Sequence, residues 1–526
     1  MEIEKNVITI ERGSAPRILW SGEDFLLEPL PPGTRVIYAR KPMEGLPDPK
    51  AAIRYAINHP EGCDPLFALP KPGMKVTIAI DDLSMPLPRM KRPDVREQVL
   101  DVVMPLLSDY GVDDIHLIVA TSFHRRMTAD EIEYMVGPKV FKEYWPDRLY
   151  NHDGEDKDNM VTVTTTEQGE VVRLNRRAAE SDLIIYINQN LVPMNGGHKS
   201  VTVGLCGYDS LRAHHNPKTL AGCDSYMDPK RSALADTITR MGRAAQEHLN
   251  VFTIETVVNT RMFDRQTDFL GRNEDDFSSA DWAKFRAMQW ALKKMPRGAK
   301  RSLLHNIPAP YDLIGVFAGK TEPVHEKTVE RNFQQLAVPV KGQADVMIVP
   351  IPFISPYNVN ATLNPLLVQV MALGYLFSLY RGKPLIKKGG VMIVTHPCYD
   401  EWTSAHHPSY IEFFHRILAE TRDSYEMHKK YEWEFATNPS YLSMYRTGNA
   451  FHGVHPFYMW YWGDPGRSHV GRVIVAGAES PYVTKLLGWE HAPNLREALD
   501  MARDTAGPNP EIVCLKSAPI CLADVE

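Results

Sequence analysis

Residues 182–187, DLIIYI, run apolar from Leu183 onward with no polar alternation. A strand of that pattern is buried on both faces, the condition of a strand inside a parallel sheet covered by helices on either side. Two further runs, 75–80 (KVTIAI) and 115–120 (IHLIVA), read as strands of the same sheet. Between them residues 92–107 read as a helix with Val95, Val99, Val102, Val103 and Leu106 on one face. Parallel strands are joined by crossovers rather than tight turns, so this alternation of strand and helix is the doubly wound pattern. Ligands of such sheets bind beyond the carboxyl ends of the strands.

All three runs leave the sheet into polar sequence. The first ends in Asp81, Asp82, Leu83 and Ser84, with prolines at 86 and 88 that stop further pairing. After the second come Thr121, Ser122, Phe123, His124, Arg125 and Arg126, and Thr128 with Glu131 then reads as a capping box opening a helix through residue 136. The third opens into NQNLVPMNGGHKSVTVGLCGYDSLRAHHNP, residues 188–217. There Gly196 and Gly197 free the backbone to pass close to a ligand, and Lys199 and His215 stand sixteen positions apart.

A chain of 526 residues exceeds what one hydrophobic core usually supports. The expected fold is α/β: two α/β domains with mostly parallel sheets facing each other across a cleft, the default ligand site. A helical stretch over 229–310, including 241–248 and 281–294 and ending in the proline-rich 306–310, reads as the connection between domains spanning 1–305 and 306–526. In the second half, runs at 313–317, 346–350, 391–394 and 473–476 read as strands, with a helix over 365–380. A net charge of −6 over this length gives no field for nucleic acid or an anionic membrane. No apolar stretch is long enough to span a bilayer or to head a secretory signal, so a cytoplasmic protein is expected. Six cysteines without a CxxC pair indicate neither a disulfide framework nor a zinc knot. Whether the chain forms a homo-oligomer is left open.

Familiar signatures are missing. The segment from Gly315 to Thr321 has three residues between its glycines where a phosphate loop needs four, and no G-x-G-x-x-G follows a strand. Neither H-E-x-x-H nor G-x-S-x-G occurs. Of nineteen histidines, His124, His198, His214 and His215 fall at or beyond strand exits on one edge, whereas His406, His407, His452 and His455 lie in proline- and aromatic-rich sequence that reads as solvated loop. Asp81 and Asp82 suit a turn or a helix cap as well as a ligand role. Asn188, Asn190 and Gln369 are candidate polar contacts.

Taken together, DDLSMPLP (81–88), ATSFHRR (120–126), NHD (151–153), GGHK (196–199) and AHHNP (213–217) resemble the nickel-pincer lactate racemase family. That family's D-x-T-R-P turn, T-H-R turn, N-H-D segment, G-G-x-K loop and distal histidine come in the same order, and FAGKTEPVHEK (317–327) adds a weaker match. The resemblance implies that Lys199 tethers a nickel-pincer nucleotide, Ni(II) pyridinium-3-thioamide-5-thiocarboxylic acid mononucleotide. It also implies that His215 is the nickel ligand and that Asp81, Asp82, Ser84, Gly196 and Gly197 belong to the cofactor site. Soft sulfur plus imidazole suits Ni(II). It implies a racemase or epimerase in which His124 takes a hydroxyl proton while the carbon-bound hydrogen leaves as hydride and returns to either face. Cofactor-synthesis proteins and a small hydroxylated molecule are the partners it implies.

Three departures bear on the substrate. Met85 stands for the turn's arginine, Met194 for the second proton-transfer histidine and Met371 for a helix lysine. Losing two cations removes the carboxylate clamp, so lactate is not the expected substrate, and epimerisation of a larger hydroxy acid or of a neutral or polyhydroxylated molecule is expected instead. The substrate contacts expected are Met85, Arg125, Met194, Gln369 and Met371, with His198 or His214 as replacement for the missing base. Two other readings stay open: a zinc or iron enzyme built on His198, His214, His215 and Asp81, and a binding protein that keeps the cleft without the cofactor.

Overall fold

In the computed structural model residues 6–84 and 88–526 are described. Six strands make the first sheet, and their spatial order in residue numbers is Leu149–Asn151, Asp114–Ala120, Lys75–Asp81, Leu183–Asn190, Val251–Val258 and Leu313–Gly319. All pair in parallel except the last, which runs antiparallel at the edge. The order reverses between Lys75–Asp81 and Leu183–Asn190, so the doubly wound reading holds and its switch point lies between those two strands. Every residue of Leu183–Asn190 is buried, the apolar 183–187 as their pattern requires and the polar 188–190 as well.

The larger sheet is mostly parallel, with Ala344–Pro352 and Ile386–Thr395 at its centre and Arg472–Ala476 beyond them. Sheet pairing crosses the division at 305/306 in both directions. Arg35–Ile37 pairs with Ile512–Leu515 in the larger sheet, and Arg17–Gly22 joins the end of Ala344–Pro352. Conversely, Leu313–Gly319, expected in the second half, completes the first sheet. The sequence pattern marks these strands but not their partners, because a short apolar run carries no record of which edge it will cover. One apolar core joins both sheets, with Ile118 and Tyr186 from the first and Met347 and Val394 from the larger all fully buried within it.

The helix after the first strand runs Val95–Asp109, capped by Asp94, and Arg96 at its start is buried. Its guanidinium pairs with Asp94 at 2.8 Å and donates to the carbonyls of Asp82 (2.6 Å) and Asp81 (3.2 Å). The strand exit is thereby fixed by a residue of the next helix. The helix expected over 365–380 is α-helical over Pro365–Gln369 and then widens to a π-helical segment, Val370–Leu376. Such widenings recur at functional sites because they re-aim side chains. Thr128 and Glu131 form the expected capping box of Ala129–Val136. Replacing Thr128 by Ala should cost that helix about 1 kcal/mol, read as faster amide hydrogen exchange over Ala129–Val136 with the strands unchanged.

Candidate functional site

A cavity of about 410 Å³ lies beyond the carboxyl ends of the first sheet and is closed by the second half of the chain. From the first half, Ser84, His124, Met194, Lys199 and His215 line it; from the second, Tyr357, Met371, Tyr375 and His455. The amine of residue 199 and the ring of residue 215 therefore meet in one cavity.

Asp81 and Asp82 act behind this surface. Asp81 accepts from the Gln189 backbone N–H (2.8 Å) and the Tyr186 hydroxyl (3.1 Å), joining the two strands that flank the switch point. Burial pushes its carboxyl up to about 6. Asp82 accepts from the Ser84 N–H (2.9 Å) and hydroxyl (2.6 Å) and stands 2.7 Å from His124 Nδ1. Burial works against its charge, but His124 and Ser84 outweigh it and hold the carboxyl below the usual range. With Nδ1 committed to Asp82, His124 keeps Nε2 for chemistry in the cavity.

Lys199 opens a short helix, Lys199–Gly204. Among the described residues its amine has no hydrogen-bond or ion-pair partner, and burial lowers its pKa to about 8 against the pull of Asp81 and Asp82. A lysine so placed is a nucleophile near neutral pH. The two glycines before it adopt φ of +86° and +62°. A side chain at Gly196 would meet the Glu255 carboxylate at 2.5 Å, and one at Gly197 would meet His325 at 2.8 Å. Glu255, fully buried, takes the Gly197 N–H at 2.6 Å and stands 3.2 Å from His325 Nδ1. The glycines thus let the loop close on Glu255 and His325, not on a ligand, and so set where Lys199 starts.

His215 contributes from the end of Tyr208–His214, with Tyr458 and Trp462 rings 5.5 and 5.9 Å away. Burial, then His214 and Lys199, holds it neutral, the state in which imidazole binds a metal. Its Nδ1 lies 2.6 Å from His214 Nδ1, so one ring donates and the other accepts.

A family model for the lactate racemase N-terminal domain matches residues 23–225. The lactate racemase of Lactiplantibacillus plantarum is 25% identical over 169 residues, 31% of this chain and 38% of that protein. That of Thermoanaerobacterium thermosaccharolyticum is 23% identical over 172 residues, 31% and 37% respectively. The matched segments thus span less than two fifths of either relative. In fold the likeness extends further: the lactate racemase apoprotein from Thermoanaerobacterium thermosaccharolyticum superposes with a TM-score of 0.60 at 18% identity, covering 97% of this chain and all (100%) of that one. A Thermotoga maritima protein superposes with a TM-score of 0.52 at 16% identity, over 92% and 100%. The chain is lactate racemase-like.

In this lactate racemase-like chain several expected site residues stand elsewhere. His198 turns away from the cavity, packs on Gly242 and bonds Glu322 at 3.0 Å, because the helix carrying Arg243 and the Glu322 carboxylate offer it a closer partner. His214 is fully buried behind His215. Arg125 is spent on Glu131, at 2.6 and 2.9 Å. Gln369, fully buried, is satisfied by the Met459 carbonyl (3.1 Å) and Arg467 (2.9 Å). Asn188 and Asn190 are buried at the end of their strand, where the Asn190 amide donates to the Asn188 side-chain carbonyl. Met85 lies outside the described residues. Among the described residues no three His, Cys, Asp or Glu side chains converge to hold a metal, so the zinc or iron set is not assembled. No helix among them is long and apolar enough to cross a membrane.

The opposite surprise is His455, expected in a solvated loop. It is 3% exposed, heads the helix His455–Tyr461 with Pro456 at its first turn, and lines the cavity. His407 and His452 are also fully buried, and His406 partly. The signal was present in HPFYMWYW, 455–462, an uncharged aromatic run that can only be interior.

The lowered pKa of Lys199 makes a direct check possible. Carbamylation of the apoprotein by cyanate should modify Lys199 with a midpoint near pH 8. At pH 7 its neutral fraction should exceed that of an ordinary lysine by roughly two orders of magnitude, as read by peptide mass spectrometry across a pH series.

Proposed function

We propose that the chain is a nickel-pincer-nucleotide-dependent racemase or epimerase acting on a secondary alcohol that carries no carboxylate. The observation that carries this is the meeting of Lys199, His215 and His124 in one cavity. The residues fit the group: an unpartnered amine of lowered pKa suits a thioamide tether, and a neutral imidazole suits a nickel ligand. When bound, the group supplies a reversible acceptor for the carbon-bound hydrogen and its electron pair.

The chain's own residues do the rest. His124, oriented through Nδ1 by the Asp82 carboxylate, takes the hydroxyl proton at Nε2 as the carbon–oxygen double bond forms, and returns it when the alcohol is regenerated. The second half of the chain walls the cavity with Tyr357, Tyr375 and Trp462, which keeps water from a reactive carbonyl. Maturation requires the cofactor-synthesis proteins.

Substrate class follows from the lining. Lys199 is the sole lysine or arginine among the described residues of the wall, and the tether consumes its charge. Met194, Met227, Met262, Met288, Met371 and Met459 line the same space. Such a wall offers a carboxylate no cation among the described residues. Its polar side chains, such as Ser84, Ser122 and Asn195, are few beside its apolar ones, so a substrate with several hydroxyls would leave some unpaired, each costing about 1–3 kcal/mol. A neutral carbinol bearing an aromatic or branched apolar group is the match.

The test is expression with the cofactor-synthesis proteins, followed by intact-mass and nickel analysis and a chiral assay on enantiopure 1-phenylethanol, mandelate and lactate. Expected are one nickel and one adduct on Lys199, both lost in Lys199→Ala, with 1-phenylethanol racemised at least tenfold faster than lactate. An unmodified, nickel-free protein would overturn the reading.

A further inference from the structure

Met194 cannot carry a proton, so a racemase built on this cavity lacks a second acid and base unless another side chain supplies it. His198 and His214 do not reach the cavity. His455 does, from the second half of the chain. Its ring centroid is 5.4 Å from that of His124, with the planes nearly perpendicular at 80°. Two imidazoles so spaced can each reach a single hydroxyl oxygen through a hydrogen bond of about 2.8 Å.

The support behind each ring differs. His124 Nδ1 faces a carboxylate, which fixes the tautomer with Nε2 as base. His455 Nδ1 lies 2.6 Å from the Tyr410 hydroxyl, which can donate or accept. When Tyr410 donates, Nε2 of His455 carries hydrogen and can give it; when Tyr410 accepts, Nε2 is free to take one. The other rings beside His455 are Phe451 at 4.6 Å and Tyr357 at 5.0 Å, and burial first, then the histidines His124, His407, His215 and His452, disfavours a charge on it.

Resting on the function proposed above, we infer that His455 is the second proton-transfer residue, standing in for the histidine absent at position 194, with Tyr410 as its positioning partner. In the half-reaction of one enantiomer the carbinol C–H bond breaks and its hydrogen leaves with the electron pair to the bound acceptor, while the O–H proton passes to His124 Nε2. For the other enantiomer the oxygen approaches from the side of His455. When that enantiomer is formed, Nε2 of His455 gives a proton to the carbonyl oxygen as the C–H bond re-forms on the opposite face. The proton held by His124 then passes back to His455 through the product hydroxyl, and in the reverse direction the two rings exchange roles.

Two measurements test this. In the apoprotein labelled with ¹⁵N-histidine, the ketone acetophenone should shift the Nε2 resonances of both His124 and His455, and Tyr410→Phe should change the tautomer of His455 alone. A shift confined to His124, or none, overturns the inference. In the nickel-loaded enzyme, His455→Gln should slow racemisation of 1-phenylethanol at least 100-fold from either enantiomer, as their equal stability requires, whereas single-turnover formation of acetophenone should fall at least 100-fold from one enantiomer and under fivefold from the other. Tyr410→Phe should do the same to a lesser degree. An equal loss of acetophenone formation from both enantiomers, with nickel and the Lys199 adduct intact, overturns this inference alone. A wild-type protein without nickel or adduct overturns the function on which it rests.

Discussion

Asp81 ends one strand and takes a hydrogen bond from the backbone of the next strand across the switch point, while Arg96 grips the carbonyls of Asp81 and Asp82 from the following helix. The first-half side chains of the cavity are registered against this turn. Asp82 fixes the His124 ring, and the same strand pair sends out the loop that carries Lys199. A carboxylate buried at a strand end is costly unless its oxygens are filled. Asp81 meets that condition with one backbone and one phenol donor, and Asp82 with a serine and an imidazole. The pair is therefore structural first, and its catalytic effect comes through the ring it orients.

The Lys199 loop is positioned by a second buried carboxylate. Glu255 lies on the neighbouring strand, Val251–Val258, and receives the Gly197 N–H while His325 closes over its other oxygen. Both glycines have positive φ, where a Cβ would be strained even without the steric conflict with Glu255 and His325. The residue before the tether is consequently turned outward, which is why His198 meets Glu322 and leaves the amine of Lys199 alone on the inner side.

Three strands of the first sheet, at 75–81, 114–120 and 183–190, were legible because they are long and apolar, with a helix of clear period after the first; Val251–Val258 was not, since it falls in a stretch that reads as a helical connection. The position of the site at their exits followed from topology. What stayed hidden was long-range pairing. Leu313–Gly319 and Arg35–Ile37 carry the right strand pattern, but each joins the sheet opposite to its place in the chain. Side-chain direction was hidden for the same reason: a histidine beside a tether lysine gives no hint that a glutamate 124 positions away will claim it. Arg125 and Gln369 read as substrate contacts only until Glu131 and Arg467 satisfy them. His455 was obscured by its company of prolines and aromatics, taken for loop when it begins a buried helix.

The three methionine departures and the arrival of His455 belong to one physical change. A site that holds a carboxylate needs cations, and cations inside a largely apolar cavity need counter-charges or water to remain there. Replacing Met194 and Met371 positions with thioethers leaves polarizable walls that adapt to an apolar ligand without any such partner. On the function proposed, an imidazole backed by a phenol suits those surroundings, because the phenol can donate or accept, whereas a carboxylate-backed ring would bury a second carboxylate, besides Asp82, behind the same cavity. The second half of the chain thus supplies the apolar wall and, on the function proposed, the second proton carrier as well, so the acid–base pair is complete only where the two halves meet.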